Sequence, residues 1–316
     1  MEAERHAIDL SVVIVSWNVR DLLRACLRSV LGSLAGSDLL AEIIVVDNGS
    51  GDGTPEMIQS EYPAVTLIAS PDNLGFAKAN NLAIRQSAGQ YILLLNPDAE
   101  VVGDAIPALV AFLRQHREVG VVGPMLLNGD GTVQSSRRRF PTVPLGFIES
   151  TILQRYVPGA RMLLRYYCED RPLNEVQDVD WLVGACLLVR REAIEMVGLL
   201  DEQFFMYLEE VDWCYRLRQA GWKIVFLPEA KVIHYYGQSS EKNLISRHIY
   251  FNDSKCKFYR KYHGRLLAAA LRCFLLGTFL FQIGDEGLKY ALGHKRSLRR
   301  ERLTILMKVV RSGLKA

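Results

Sequence analysis

The chain of 316 residues contains no CxxC pair, and its six cysteines (Cys26, Cys168, Cys186, Cys214, Cys256 and Cys273) follow no regular spacing. A zinc site or a disulfide framework is therefore not expected, and reduced thiols in a cytosol are the simplest reading. No GxGxxG follows the first strand, and GxxxxGK followed by Ser or Thr occurs nowhere. Their absence argues against a dinucleotide oxidoreductase and a P-loop NTPase. The polar start, Met1 to His6, lacks an apolar h-region, so no secretory signal is expected. A formal net charge of +3 is too small to imply a nucleic-acid partner. No internal repeat or low-complexity tract is present.

What the sequence does contain is an alternation. Strands are expected over residues 10–15, 42–46, 65–69, 91–95 and 119–122, with helices over 21–34, 54–60, 76–87 and 104–116 between them. Strands alternating with helices across short loops imply βαβ units and a mainly parallel sheet flanked by helices. Right-handed crossovers then place the strand ends on one edge. The second half is less regular. Asn128-Gly129-Asp130-Gly131 reads as a hairpin turn, and residues 145–178 carry no clear period and read as a segment over the site. Residues 181–189 are apolar enough for one buried strand; 211–220 read as a helix ending at Gly221, and 223–227 and 231–235 as short strands. From about residue 243 the pattern is helical. Two domains are expected: an α/β domain over 1–242 and a helical, basic extension over 243–316.

That extension carries Lys289, Lys295, Arg296, Arg299, Arg300, Arg302, Lys308, Arg311 and Lys315 against few acids, which points to an anionic surface, membrane lipid first. Residues 266–283 are nearly all apolar but are interrupted by Arg272 and Gln282, which makes them marginal as a span of about 20 apolar residues. They read as a helix in the membrane interface beside the basic tail, or as a buried helix of an accessory bundle. The expected location is cytoplasmic, peripheral at the inner face of the cell membrane.

The chemistry gathers at strand ends. The run Tyr91-Ile92-Leu93-Leu94-Leu95 stops at Asn96-Pro97-Asp98-Ala99-Glu100; Val15 is followed by Ser16-Trp17-Asn18, Val46 by Asp47-Asn48-Gly49-Ser50, and Ala69, past Ser70-Pro71, by Asp72-Asn73-Leu74-Gly75-Phe76. Each alone is compatible with a turn, since Asn, Asp, Gly and Ser favour turns. Together on one edge they read as a polar ligand site, because ligands of open α/β sheets bind beyond the carboxyl ends of the strands. Asp98 suits a hard cation. Without a glycine-rich cradle, a nucleotide is held by side chains and a metal-bridged diphosphate, a task that suits Mg²⁺.

These stretches resemble the family 2 glycosyltransferases of the GT-A fold, in particular the bacterial rhamnosyltransferase-like and galactofuranosyltransferase-like branch. The resemblance runs through Val12-Val13-Ile14-Val15-Ser16-Trp17-Asn18, Val45-Val46-Asp47-Asn48-Gly49-Ser50-Gly51-Asp52-Gly53-Thr54 and Asn73-Leu74-Gly75-Phe76-Ala77-Lys78-Ala79-Asn80-Asn81. It continues through Leu95-Asn96-Pro97-Asp98, Trp181-Leu182-Val183-Gly184-Ala185, Phe205-Met206-Tyr207-Leu208-Glu209-Glu210-Val211-Asp212 and His234-Tyr235-Tyr236-Gly237-Gln238-Ser239.

The resemblance implies a metal-dependent, inverting transfer from a UDP- or dTDP-sugar to a hydroxyl of a lipid-linked or glycan acceptor in cell-surface glycan synthesis. It implies that Asp47, with Ser16 and Asn18, reads the base or ribose, and that Asn73, Gly75, Phe76 and Lys78 lie near the nucleotide. Asn96-Pro97-Asp98 stands where the family has DxD. Asp98 then carries most of the binding of Mg²⁺ or Mn²⁺, Glu100 assists weakly, and His234 is a second metal ligand; read alone, a histidine after a short apolar strand is usually structural. Glu209, Glu210 and Asp212 read either as charges complementing a helix dipole or as crowded carboxylates with a raised pKa. The resemblance makes one of them the base that deprotonates the acceptor, Glu209 before Glu210, with Asp212 as a partner of Arg216. Trp181 and Gly184 line the acceptor pocket, or Trp181 packs in the core. The basic run Arg137-Arg138-Arg139 is solvated surface or touches an acceptor diphosphate. Two rivals are a nucleotidyltransferase, which would release pyrophosphate, and a non-catalytic nucleotide-sugar- or lipid-binding subunit.

Overall fold

The computed structural model describes residues 8–157, 159–235 and 244–314. In chain order the elements are β1 (Leu10–Ser16), α1 (Arg20–Leu34), β2 (Ala41–Asn48), α2 (Thr54–Glu61), β3 (Thr66–Ser70), α3 (Phe76–Gln86), β4 (Tyr91–Leu95), β5 (Ala99–Val102), α4 (Ala105–Gln115) and β6 (Val119–Leu127). Then come β7 (Val133–Gln134), β8 (Arg137–Arg138), α5 (Val143–Ile148), α6 (Arg161–Tyr166), β9 (Gln177–Val179), β10 (Trp181–Leu182), β11 (Cys186–Arg190) and α7 (Arg191–Val197). The chain finishes with α8 (Glu209–Gln219), β12 (Lys223–His234), α9 (Leu244–His263), α10 (Arg265–Ala291) and α11 (Arg296–Ser312). Contacts divide it into two units, one of Met1–Phe140, Arg165–Phe205 and Glu209–Ser239, the other of Pro141–Leu164, Met206–Leu208 and Ser240–Ala316.

The first unit is built on a mixed sheet in the order β3-β2-β1-β4-β11-β6-β12-β5, with β7 on β6 and β9 on β12. Strands β3, β2, β1 and β4 are parallel, β11 runs antiparallel to β4 and β6, and β12 is parallel to β6. Every residue of β4 is buried, as expected of a strand with helices on both faces. Alternation along β1 sorts the layers: Leu10, Val12 and Ile14 join α1 (Leu23, Leu27, Val30) and α4 (Ile106, Leu109, Leu113) in one core. Helix α3 packs on β1 and β2 and buries Ala77, Ala79, Ala83 and Ile84.

The register sets the site. Ser16 lies opposite Asp47, Ile14 opposite Leu95, and Asn48 opposite Ser70, so these parallel strands end together. Because β11 is reversed, its start, Cys186, lies opposite Leu95 at the same edge. The expected α/β class with a mainly parallel sheet is what the structure has, and several boundaries differ from the sequence expectation. Residues 181–189 form two strands, β10 and β11, separated at Val183, Gly184 and Ala185. The two strands expected over 223–235 are one, β12, whose register against β6 shifts between Leu227 and Lys231. Pro228 sits in that shift, where a missing N–H is tolerated. Strand β5 and helix α7 were not among the expected elements, and α8 begins at Glu209 rather than residue 211.

In the second unit α10 packs against α9 and α11. Its acid Glu286 sits 2.8 Å from Arg299 and 3.2 Å from Arg302 of α11. The buried Lys255 of α9 lies 3.6 Å from the Glu149 carboxylate, and the Tyr259 hydroxyl donates to the Thr142 carbonyl at 2.8 Å.

Candidate active site

Four loops at the common strand edge carry the candidate residues. At the ends of β1 and β2, Ser16 and Asp47 are buried and opposite each other. Asp47 Oδ2 accepts from the Ser50 N–H at 2.9 Å, whereas Asp47 Oδ1 and Ser16 Oγ have no hydrogen-bond partner among the described residues. Leaving a buried polar atom unsatisfied costs about 1–3 kcal/mol, so such atoms at a strand edge suit a ligand that completes them. Asn18, in the left-handed region at φ 55°, joins this cluster: its N–H donates to Ser50 Oγ at 2.9 Å and its Oδ1 accepts from the Gly51 N–H at 2.8 Å.

The next loop is organised by Asn48, which sequence reasoning did not single out as a site residue. Its Nδ2 donates to Asn73 Oδ1 at 3.0 Å, its Oδ1 accepts from the Leu74 N–H at 2.8 Å, and Asn73 Oδ1 also accepts from the Gly75 N–H at 2.9 Å. The signal available was its place beside Asp47 at a strand end. Gly75, at φ 80°, lets the backbone approach Phe205: a Cβ there would lie 2.5 Å from the Phe205 carbonyl oxygen, which accepts from the Phe76 N–H at 2.7 Å. Gly75→Ala is expected to destabilise the fold by about 1–3 kcal/mol, the usual size of such backbone strain. Urea denaturation midpoints check this; an unchanged midpoint would refute the close approach. Lys78 is exposed on the first turn of α3.

The third cluster joins Asn96, Asp98 and His234. Strand β5 follows Asp98 and pairs antiparallel with β12, setting His234 opposite Ala99. His234 Nε2 thereby lies 3.4 Å from Asp98 Oδ1 and 3.3 Å from Asn96 Nδ2, with both Asp98 and His234 buried. Gln134 lies 2.7 Å from the other ring nitrogen, Nδ1. Among the described residues no group of three or more His, Cys, Asp or Glu side chains is placed to hold a metal. A carboxylate and an imidazole are nonetheless a suitable pair for a cation that takes its remaining ligands from phosphate oxygens and water. Tyr236, Gly237, Gln238 and Ser239, which complete the His234 motif, lie outside the described residues.

The fourth cluster is the head of α8. Burial, and next the charge of Glu210, push the Glu209 carboxyl well above the usual carboxylate range. Its Oε2 has no hydrogen-bond partner among the described residues. A Cβ on Gly184 would lie 3.5 Å from Glu210 Cβ, and the next residue, Ala185, accepts from the Asn96 N–H at 2.9 Å. The acidic cluster thus adjoins the Asn96 loop through residues 184–185. Asp212 is fully buried and accepts from Arg216 Nε at 2.9 Å. Trp181 is 7% exposed, donates its indole N–H to the Arg139 carbonyl at 2.9 Å and packs with Tyr166 and Arg138.

The sequence profile of Glycosyl transferase family 2 matches residues 11–198. That span contains the first three clusters except His234, and it ends before Glu209. An N-acetylglucosaminyl-diphospho-decaprenol L-rhamnosyltransferase of Mycobacterium tuberculosis is 33% identical over 304 residues, 93% of this chain and 95% of that protein. The rhamnosyltransferase WbbL of Escherichia coli is 27% identical over 232 residues, 71% of this chain and 82% of that one. Among solved structures, a mannosyltransferase of Pyrobaculum calidifontis, in complex with GDP-Man and Mn²⁺, superposes with a TM-score of 0.56. It is 15% identical and the superposition covers 98% of this chain and 89% of that one, a likeness of fold.

Proposed function

This chain belongs to glycosyl transferase family 2, and from that premise we propose that it moves L-rhamnose or a related hexose, with inversion, from a UDP- or dTDP-sugar to a hydroxyl of a polyprenyl-diphosphate-linked sugar. The sugar and the acceptor class follow the names of the relatives; the nucleotide follows the family resemblance of the strand-end motifs. The observation that carries the reading is the buried Asp98–His234 pair, 3.4 Å apart at the edge where the parallel strands end.

In this reading Asp47 Oδ1 and Ser16 Oγ take up the base or ribose, and Asn48 holds the Asn73–Gly75 turn against the nucleotide. Asp98 and His234 would hold a divalent cation, and the imidazole makes Mn²⁺ at least as suitable as Mg²⁺. When bound, the cation supplies electrostatic stabilisation of the charge that develops on the departing diphosphate. Glu209 is the base. A carboxylate with a raised pKa holds a proton more tightly than a solvated one and so is better matched to a hydroxyl. Glu209 takes the acceptor hydroxyl proton, the oxygen bonds to the anomeric carbon from the face opposite the diphosphate, and the bond to the diphosphate oxygen breaks. Glu210 sustains the raised pKa by its charge, and Asp212 orients the helix head through Arg216.

The chain is to be incubated with UDP- and dTDP-sugars and an N-acetylglucosaminyl-diphospho-polyprenol, with and without Mn²⁺. Release of nucleoside diphosphate together with a glycosylated lipid is the expected result. Release of pyrophosphate would show a nucleotidyltransferase and overturn the reading.

Such an acceptor lies at a membrane surface, and the second unit suits that place. Helix α10 is long and apolar enough to cross a membrane, and the most apolar part of it is 28% buried. It exposes Leu266, Leu280, Phe281 and Leu288, while α11 carries Arg296, Arg300, Lys308 and Arg311. The proposed arrangement is peripheral, on the cytoplasmic face. The chain is expected to float with vesicles containing phosphatidylglycerol, and to lose most of that binding in high salt, since each nearby cation contributes about 1 kcal/mol to such attraction. Leu280→Asp with Phe281→Asp should weaken flotation without unfolding the chain; undiminished flotation would assign the contact elsewhere.

A further inference from the structure

We propose that the hairpin of residues 128–134 sets the tautomer of His234, with Gln134 as its positioning residue, so that the Nε2 lone pair faces the Asp98 carboxylate and is presented to a cation. The hairpin is the Asn128-Gly129-Asp130-Gly131 turn and its return strand, and its hydrogen bonds have one permitted direction.

The chain of bonds begins at a group that only accepts. The Asp130 carboxyl is held below its ordinary range, chiefly by the Thr132 side chain, whose hydroxyl donates to Oδ1 at 2.6 Å. With its proton committed there, Thr132 Oγ1 accepts from Asn128 Nδ2 at 2.9 Å. This orients the Asn128 amide, so its Oδ1 accepts from Gln134 Nε2 at 2.9 Å. The same Gln134 nitrogen donates to the His234 backbone carbonyl at 3.2 Å. With both acceptors on its NH₂ side, the Gln134 amide must turn Oε1 toward His234 Nδ1, 2.7 Å away. A carbonyl oxygen cannot donate, so Nδ1 carries the proton. The neutral ring then has its lone pair on Nε2, where Asn96 Nδ2 stands at 3.3 Å as a donor.

The consequence is electrostatic. An imidazole lone pair and a carboxylate oxygen 3.4 Å apart in a buried place are two electron-rich groups facing each other. A cation relieves that opposition. A ring protonated on Nε2 would instead donate to Asp98 and close the place to a metal. Outer partners that fix a ligating histidine in this way are worth about 10–100-fold in metal affinity. The cation is part of the function proposed above; the tautomer is not.

Both are read on the full chain. Histidine-ring ¹⁵N–¹H correlation at pH 8 without metal reports the tautomer, and loss of the free Mn²⁺ EPR signal, with Mn²⁺ alone and again with UDP, reports binding. Wild type is expected to show His234 protonated on Nδ1. Gln134→Leu is expected to lose that preference and to bind Mn²⁺ about 10–100-fold more weakly. Gln134→Glu keeps an acceptor toward Nδ1 and should retain the tautomer, although it loses the donors to Asn128 Oδ1 and the His234 carbonyl. Wild-type His234 protonated on Nε2, or Gln134→Leu with unchanged Mn²⁺ affinity, would overturn the proposal. An Nδ1-protonated wild type that takes up no Mn²⁺ would support the tautomer assignment and sink the metal reading, so the two failures are distinguishable.

Discussion

Glu209→Gln is expected to lower kcat/KM by about 10²–10⁴-fold, the usual contribution of a general base, while leaving nucleotide binding intact and making the folded protein more stable at neutral pH. The second effect follows from linkage. Burial raises the folded-state pKa of Glu209 above its unfolded value, and the charge of Glu210 raises it further. Between the two values the folded chain holds a proton that the unfolded chain releases, so stability falls as pH rises through that window. The contribution is fully present below the ordinary carboxylate pKa and is lost once pH passes the folded value. The glutamine cannot ionise, so its Tm should match wild type below the ordinary carboxylate pKa and exceed it increasingly as pH rises toward 8. The same titration governs the rate: the base acts only when ionised, so the acid limb of kcat/KM should lie above the usual carboxylate range. Glu210→Gln removes the neighbouring charge and should move that limb to lower pH with a smaller loss of rate. Inactivity of Glu210→Gln beside a working Glu209→Gln would exchange the two roles.

The parts of this molecule that were legible in its sequence are those whose physics is local. Parallel strands covered on both faces are continuous apolar runs, so β1, β2 and β4 stood out, and the Asn, Asp, Gly and Ser residues that end them marked the edge where Ser16, Asp47 and Asp98 lie. The unreadable parts depend on pairing between distant residues. Strand β5 is four residues long and too short to show a period, yet it is what places His234 beside Asp98. Strand β12 contains Pro228 between the two short strands expected from the sequence, at the place where the sheet has a register shift. Asn128 to Gly131 was legible as a turn, but nothing local marks Gln134 as the partner of a histidine a hundred residues onward. Trp181 shows a limit of another kind: its flat indole face suits a sugar ring or the core equally well, and in the structure it is 7% exposed with its indole N–H donated to the Arg139 carbonyl. Residues 145–178 resisted assignment because the helices that enter the range, α5 and α6, have six residues each, fewer than two turns over which to show a face.

Asp98→Asn is expected to abolish the response to Mn²⁺ and to lower the rate about 10²–10³-fold, the value of several kcal/mol of charge stabilisation on the leaving group. Asn96→Ala should cost far less, although both positions belong to one motif, and the difference is geometric. Asn96 is anchored mainly by its backbone, whose N–H donates to the Ala185 carbonyl at 2.9 Å, and its side-chain nitrogen, a donor toward His234, is not a cation ligand. Asp98 presents a buried carboxylate oxygen to the imidazole nitrogen. Thermal denaturation separates the two. At Mn²⁺ 100-fold above its dissociation constant, wild type should gain about 2.7 kcal/mol, Asn96→Ala most of that, and Asp98→Asn none. Without metal, Asp98→Asn should be no less stable than wild type, because replacing the carboxylate removes the opposition between two electron-rich groups in a buried place. If Asp98→Asn kept its Mn²⁺-dependent gain in Tm, the cation would have to be held elsewhere and His234 would return to a structural role. If Asn96→Ala lost the gain as completely as Asp98→Asn, the unequal division of labour within Asn96-Pro97-Asp98 would be wrong.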